Sequence, residues 1–349
     1  MMKRFIRVVM LPCMVTVLLS ALSLATIEAK AAPSSGKVSQ NPFSSTSCGQ
    51  WSVVPSPNPN VVPSGLSGVA AVSATDAWAV GTSGSQMSHG QTLIEHWDGA
   101  HWQIVKSPNP GSIYNSLYAV TAVSATNVWA VGYYVNTTGV TQTLTEHWNG
   151  TSWSVVKSPS PASMNNELFS VAAVSATDVW AVGFITRNSA NGPVEQTLIE
   201  HWNGTSWSVV KSASPGSGDD LRGVAAVSAN DIWATGYTFN GSSIQTLVEH
   251  WNGTNWQVVK SPNVGTSPAF NGVAAVSAHD VWAVGSHNNS NNVFQTLTEQ
   301  WDGKQWSVVK SPSPGSFNTQ LLAVAATSAH DVWAVGHADS NTLIEHFHC

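Results

Sequence analysis

Glutamate and histidine recur side by side along this sequence, and both side chains are ligands that zinc accepts in proteins. The histidines of this series, each preceded by glutamate, are His96, His147, His201, His250 and His346. One copy carries Gln300 instead, which is not a metal ligand. Residues that occur once per repeated unit also lie too far apart to share one ion. We therefore interpret these histidines as hydrogen-bonded structural residues, and we expect neither a metal site nor a cofactor.

A second polar series follows the sequence Ser-Ala-x in every copy: Asp76, Asn127, Asp178, Asp231, Asp280 and Asp331. Asx side chains at such positions bond their own backbone and fix a turn. Because the residue recurs in every unit, we interpret it as structural and assign no catalytic residue from the series.

Polar residues that are not repeated offer a different chemistry. Glu167, Asp219 and Asp220 could act as general acid and base beside Arg222 and Tyr118. This group supports one alternative function, a polysaccharide-acting hydrolase or lyase.

All these residues lie on a repeat. A Trp-Ala-x-Gly sequence recurs with its tryptophan at Trp78, Trp129, Trp180, Trp233, Trp282 and Trp333, at intervals of 49–53 residues. Each copy also contains an Ala- and Val-rich run before it and two further β-type runs after it. Four short strands per unit, repeated six times, are typical of a β-propeller. The sequence therefore predicts an all-β, six-bladed β-propeller with four antiparallel strands per blade.

The last copy ends after its third run, and a matching fourth run occurs near the N-terminus, from Cys48 to Val54. We expect the propeller to span residues 48–349, with its last blade closed by the N-terminal strand. Cys48 and Cys349 align with the tip of this split hairpin, within the reach of a disulfide. The sequence predicts that they are bonded.

At these residues the chain resembles the Trp-rich propeller repeats of secreted bacterial proteins and, more distantly, kelch-type and Asp-box (BNR-like) propellers. The Gly150-x-x-Trp153 ending is similar to the end of an Asp-box, although Trp148 replaces the aspartate that names that motif. The resemblance implies a propeller and carries over no catalytic residue.

The N-terminal segment predicts export. Lys3, Arg4 and Arg7 precede an apolar run, and Ala29-Lys30-Ala31 has the pattern of a cleavage site. We expect a signal peptide at 1–31, a flexible leader at 32–47 and a secreted, extracellular protein without membrane attachment after cleavage. The net charge of the chain is −6, the opposite of the basic surface that nucleic acid requires. We expect a monomer that binds an extracellular glycan or protein.

Asn-Gly and Asp-Gly pairs between tryptophans, as at Asn149-Gly150, predict hairpins with type I′ turns and positive φ at the glycine. The chain has 17 tryptophans, all within the repeat. We interpret them as packing between blades, with a sugar-stacking platform as the alternative.

Variation between copies suggests where a ligand binds. The loops predicted for one face of the propeller differ between blades, and such loops on a rigid scaffold often carry function. One position in the first strand also varies and is expected to surround the mouth of the central channel: Ser67, Tyr118, Phe169, Arg222, Asn271 and Leu322. We favour a non-catalytic binding or scaffold protein that uses these residues, with the enzyme as the alternative.

Overall fold

A computed structural model of the chain describes residues 54–59, 63–85, 89–190 and 192–348. The predicted signal peptide, the leader, Cys48, Cys349 and the closing strand up to Val53 lie outside the described residues. No helix among the described residues is long and apolar enough to cross a membrane.

The described residues form 23 strands in a repeated order. The first strands of the units are β1 (Ser64–Ser73), β5 (Tyr114–Ser124), β9 (Asn166–Ser175), β13 (Gly218–Ser228), β17 (Thr266–Ser277) and β21 (Thr319–Ser328). The second strands carry the Trp-Ala-x-Gly sequence and are β2 (Asp76–Ser83), β6 (Asn127–Val135), β10 (Asp178–Ser189), β14 (Asp231–Phe239), β18 (Asp280–Asn288) and β22 (Asp331–Ala338). The third strands are β3 (Gln91–Trp97), β7 (Thr141–Trp148), β11 (Gly192–Trp202), β15 (Ile244–Trp251), β19 (Phe294–Trp301) and β23 (Asn341–His348). The fourth strands are β4 (Trp102–Ile104), β8 (Trp153–Val155), β12 (Trp207–Val209), β16 (Trp256–Val258) and β20 (Trp306–Val308).

These strands form three four-stranded sheets, one eight-stranded sheet and one three-stranded sheet. The eight-stranded sheet contains two four-strand units, joined where Glu195 of β11 pairs in parallel with Gly218 of β13. Each first strand packs against the first strand of the next unit in chain order. The chain therefore has the all-β propeller fold that the sequence predicted, whereas the count of six blades and the closure stay predictions.

Tryptophans fill the space between neighbouring sheets. The Trp78 ring centroid lies 4.8 Å from that of Trp148 and 5.2 Å from that of Trp153, both in the next unit. The same pair of contacts recurs at Trp129, Trp180 and Trp233. The interpretation of the tryptophans as packing between blades is confirmed at these positions.

The hairpin at Asn149-Gly150 is present, but its predicted turn type is wrong. Trp148 and Trp153 pair across the strands, so the loop between them has four residues. Gly150 has φ +93°, as expected, whereas Asn149 is not among the residues with positive φ. The Asn149 Oδ1 atom accepts bonds from the Thr151 and Ser152 amides at 3.0 Å each. This Asx turn replaces the type I′ backbone because the side chain satisfies the loop amides.

In two units a glutamate of the third strand fastens the unit to the segment that precedes it. Glu249 accepts the Ser212 hydroxyl and the Ala213 amide, both at 3.1 Å. Glu95 accepts the Ser56 hydroxyl at 2.8 Å. Burial raises the pKa of the equivalent Glu146 and Glu299 to about 8. Glu95 and Glu249 are therefore structural, like the histidines.

Because burial raises the pKa of Glu146 and Glu299, we expect the free energy of unfolding to fall between pH 5 and pH 8. The ordinary glutamate pKa is 4.5, whereas that of Glu146 is raised to about 8. The folded state therefore retains a proton that the unfolded chain releases, so this contribution is complete below pH 4.5 and lost towards pH 8. We expect Glu146→Gln to raise the melting temperature at pH 8 by several degrees and to change it little at pH 5.

Melting temperatures of both proteins at pH 5 and pH 8 check this expectation. Asp98→Asn is the control, because Asp98 is exposed and backbone hydrogen bonds from His101 and Ala100 lower its pKa. A Glu146→Gln protein that is no more stable than the natural one at pH 8 would contradict the burial of a neutral Glu146.

Candidate site at the channel mouth

The six residues predicted for the channel mouth share one backbone feature. In every unit the pairing of first and second strand skips the predicted residue of the first strand, which forms a β-bulge, and a further register shift lies near the end of the strand. The skipped residues are Ser67, Tyr118, Phe169, Arg222, Asn271 and Leu322. A bulge redirects its side chain from the regular alternation of the strand. Each variable residue therefore lies at a β-bulge of its first strand.

The glycine of each Trp-Ala-x-Gly strand makes room for this bulge. A Cβ atom on Gly183 would lie 1.9 Å from the carbonyl oxygen of Glu167. The corresponding distances are 1.9–2.0 Å at Gly81, Gly132, Gly236, Gly285 and Gly336. The repeated glycine and the variable bulge residue are thus two parts of one local structure.

Three of the six predicted residues lie together. The ring centroids of Tyr118 and Phe169 are 5.2 Å apart. The Cζ atom of Arg222 lies 5.7 Å from the Phe169 centroid, over the ring face. All three side chains are half-buried. With Glu167 and Asp220 they form what we call the mouth cluster.

The other three residues are placed differently. Ser67 and Leu322 are exposed. The Asn271 amide donates a 2.8 Å bond to the Leu321 carbonyl of the next first strand. Within the described part of the chain, no ring contact or hydrogen bond joins these three to the mouth cluster. The six predicted channel-mouth residues therefore differ in their surroundings, and Tyr118, Phe169 and Arg222 form the chemically distinct side.

Arg222 and Asp220 form the ionic centre of the mouth cluster. The Arg222 Nε–H donates to Asp220 Oδ2 at 3.2 Å, and Cζ lies 5.4 Å from the Tyr237 centroid. Burial raises the pKa of Asp220 to about 6, although Arg222 opposes that shift. Burial is the largest influence on Arg222 and disfavours its charge, but Asp220 and Tyr237 together outweigh burial and raise the pKa of Arg222. The arginine is therefore held between two aromatic faces with one carboxylate partner.

Glu167 has the chemistry of a proton donor or acceptor near neutral pH. Burial, followed by the charges of Asp220 and Glu195, raises the pKa of Glu167 to about 7, with Arg222 opposing. Burial also raises the pKa of Tyr118, which interacts with Tyr133 and with Glu167. Perturbed pKa values of this kind cluster at functional sites.

Glu195 and Tyr237 also belong to this region, although the sequence did not predict them. Glu195 belongs to the long hairpin of β10 and β11, and burial raises its pKa. Tyr237 directly follows the glycine of its second strand and pairs with Asp220. Variation at the position after that glycine, which is also Tyr133 in another unit, was the available signal. No signal in the sequence predicted that Glu195 approaches Arg222, because this approach depends on the pairing of β11 with β13.

Asp219 was wrongly grouped with the candidate catalytic residues. Its carboxylate is buried and accepts the Gly216 amide at 2.9 Å and the Thr238 hydroxyl at 2.5 Å. Asn115 and Asn166 accept the amides of Gly111 and Ala162 at the corresponding position. Asp219 therefore holds the connection between units in place.

The repeated histidines are bonded to the second strand, as expected. His201 Nε2 lies 2.8 Å from Asp178 Oδ1, and the Gln300 amide donates to Asp280 at 2.8 Å. The proposed role of the aspartates in their own turn is wrong, because Ser175 Oγ accepts the Thr177 amide there. No group of three or more potential metal ligands occurs among the described residues.

No family model matches the chain, and no curated protein matches it. A solved protein of unknown function from Dyadobacter fermentans is similar over 80% of this chain and 93% of its own, with 9% identity and a TM-score of 0.50. YCF48 from Cyanidioschyzon merolae is similar over 82% and 95%, with 13% identity and a TM-score of 0.47. A gluconolactonase from Xanthomonas campestris is similar over 81% and 85%, with 11% identity and a TM-score of 0.44. Identities this low show the all-β propeller fold alone, on which both binding proteins and enzymes occur.

Proposed function

We propose that this chain is an exported, non-catalytic propeller that binds an extracellular glycan at the mouth cluster. The observation that carries the proposal is the contact of the Tyr118 and Phe169 rings beside the Arg222–Asp220 pair. Aromatic faces pack against the C–H face of a sugar ring, while fixed charged groups accept and donate bonds to its hydroxyls. As part of this proposal, we infer that the chain is related to secreted Trp-rich propellers and, more distantly, to kelch-type and Asp-box propellers.

Binding of cell-wall polysaccharides to the natural protein tests this function. We expect Tyr118→Ala with Arg222→Ala to weaken binding at least tenfold, because it removes one aromatic face and the only arginine of the cluster. Since loss of Arg222 leaves Asp220 buried without its partner, Phe169→Leu is a second variant that preserves that ion pair. Ser67→Ala with Leu322→Ala is the matched control at exposed bulge positions. Equal binding by all four proteins would refute the site.

A polysaccharide-acting hydrolase or lyase is the second candidate. The pKa of Glu167 near 7, beside Asp220 with a pKa near 6, favours it, because a general acid or base works best near the ambient pH. Turnover of any polysaccharide that disappears in Glu167→Gln while binding persists would make the chain an enzyme.

We also propose that the propeller has six blades and that Cys48–Val54 supplies the fourth strand of the last. Trp282 lies 4.8 Å from Phe347, the first of its two expected partners, and no fourth strand accompanies β23 among the described residues. A cavity of about 320 Å³ remains beside Trp282, Leu343 and Phe347. Alignment with the other units predicts Trp51 as its occupant.

The position of Ser56 supports this closure independently. Its hydroxyl bonds Glu95 at 2.8 Å, as Ser212 bonds Glu249. Ser212 follows the fourth strand of the preceding unit, so Ser56 has the place of a residue that leaves a fourth strand. Exposed apolar residues also mark the two terminal units: Leu66 is 46% exposed and Val335 is 43% exposed. Closure would cover these faces.

A further inference from the structure

The mouth cluster region contains more acid than base. Glu167 pairs with Phe184 and Glu195 pairs with Thr186 on opposite sides of β10, so both carboxylates lie on the same face of this sheet. Arg222 is the cation that opposes the raised pKa of Glu167, Glu195 and Asp220. Arg222 bonds Asp220, whereas neither Glu167 nor Glu195 forms an ion pair with a described residue. If every group is ionised, three negative charges face one positive charge. Carboxylates that are buried without a cation are unfavourable, so a ligand that brings a positive charge would stabilise them.

The aromatic groups favour the same kind of ligand. The Phe169 ring lies 5.2 Å from the Tyr118 ring and 5.7 Å from the Phe184 ring, and Phe184 pairs with Glu167 across the strands. The Phe169 and Tyr237 faces already hold the Arg222 guanidinium at 5.7 and 5.4 Å. A cation over a ring face is attracted by the ring quadrupole, and more strongly where water is excluded. The region thus combines the two features that recognise an ammonium group.

We propose that the glycan bound at the mouth cluster carries a protonated primary amine, as in a deacetylated amino sugar, placed between Glu167 and Glu195. The inference depends on the proposed function and narrows its ligand. An acetylated sugar would bring no charge, so both half-buried carboxylates would remain without an ion-pair partner.

Calorimetric titration with three oligosaccharides of equal length and linkage tests the inference. The probes are a glucosamine oligomer, its fully N-acetylated form and a glucose oligomer, at physiological salt to suppress unspecific attraction to the acidic chain. We expect the glucosamine oligomer to bind at least tenfold more tightly than the other two. Glu167→Gln with Glu195→Gln is expected to abolish this difference and to keep the weaker binding of the uncharged oligomers.

The control variant is Asp302→Asn, an exposed acid in a hairpin loop, which should keep the tenfold preference. Melting temperatures establish that each variant is folded. Equal affinity of the natural protein for the three oligomers would overturn the amine inference and leave the glycan-binding function standing. Absence of binding to all three would contradict both. Preferential binding of a lysine-rich peptide of equal charge would show that a protein supplies the amine. It would overturn the proposal that the ligand is a saccharide.

Discussion

Replacing Gly183 with alanine is expected to destabilise the protein by about 3 kcal/mol or more and to abolish ligand binding at the mouth cluster. The added Cβ atom would lie 1.9 Å from the Glu167 carbonyl oxygen and 2.9 Å from the Leu168 Cα. Both are backbone atoms of the neighbouring strand, so no side-chain rotation relieves the clash. The strand pair must separate or lose its bulge, and either change displaces Phe169 and Glu167.

Chemical denaturation measures the stability, and titration with the glucosamine and glucose oligomers measures the site. Gly65→Ala is the control, because no atom lies within 4 Å of its added Cβ and its φ is not positive. We expect that variant to stay within about 0.5 kcal/mol of the natural protein. Natural stability of Gly183→Ala would show that the bulge does not depend on the glycine.

The fold was predictable because the repeat marks each strand several times. The Trp-Ala-x-Gly run, the Glu-His-Trp run and the hairpin tryptophans all became strands whose cross-strand pairs the sequence had indicated, such as Trp148 with Trp153. The bulge was not predictable in the same way. An offset of one residue leaves no mark in the apolar pattern of a first strand, whose Val171, Ala172 and Ala173 are apolar in succession.

The site was half predictable for a related reason. Variation among copies identified Tyr118, Phe169 and Arg222, which the structure brings together. It could not separate them from Ser67 and Leu322, because the difference lies in their neighbours and not in their own position. Asp219 and Asp220 are adjacent in sequence, yet one binds a loop amide and the other binds Arg222. Alternation along a strand sends adjacent side chains to opposite faces, so sequence proximity misled the assignment of Asp219.

Reduction of a Cys48–Cys349 disulfide is expected to lower the free energy of unfolding by about 2–4 kcal/mol. In the proposed six-bladed ring, these cysteines lie at the tip of the hairpin that the other units complete with a covalent loop. The bond would close a loop of nearly the whole propeller, and long loops gain most from a cross-link in the chain-entropy model. An exported protein also folds where disulfides persist.

Mass spectrometry of non-reduced peptides should find the linked pair, and melting with and without a thiol reductant should show the loss. Cys48→Ser, Cys349→Ser and the double variant are the matched set. All three should melt at the temperature of the reduced natural protein and should not respond to reductant, because each lacks the same single bond. Rapid alkylation of both thiols in the native protein would show that the two ends do not meet. It would also remove the reason for placing Trp51 beside Trp282, since the same strand carries Cys48 and Trp51.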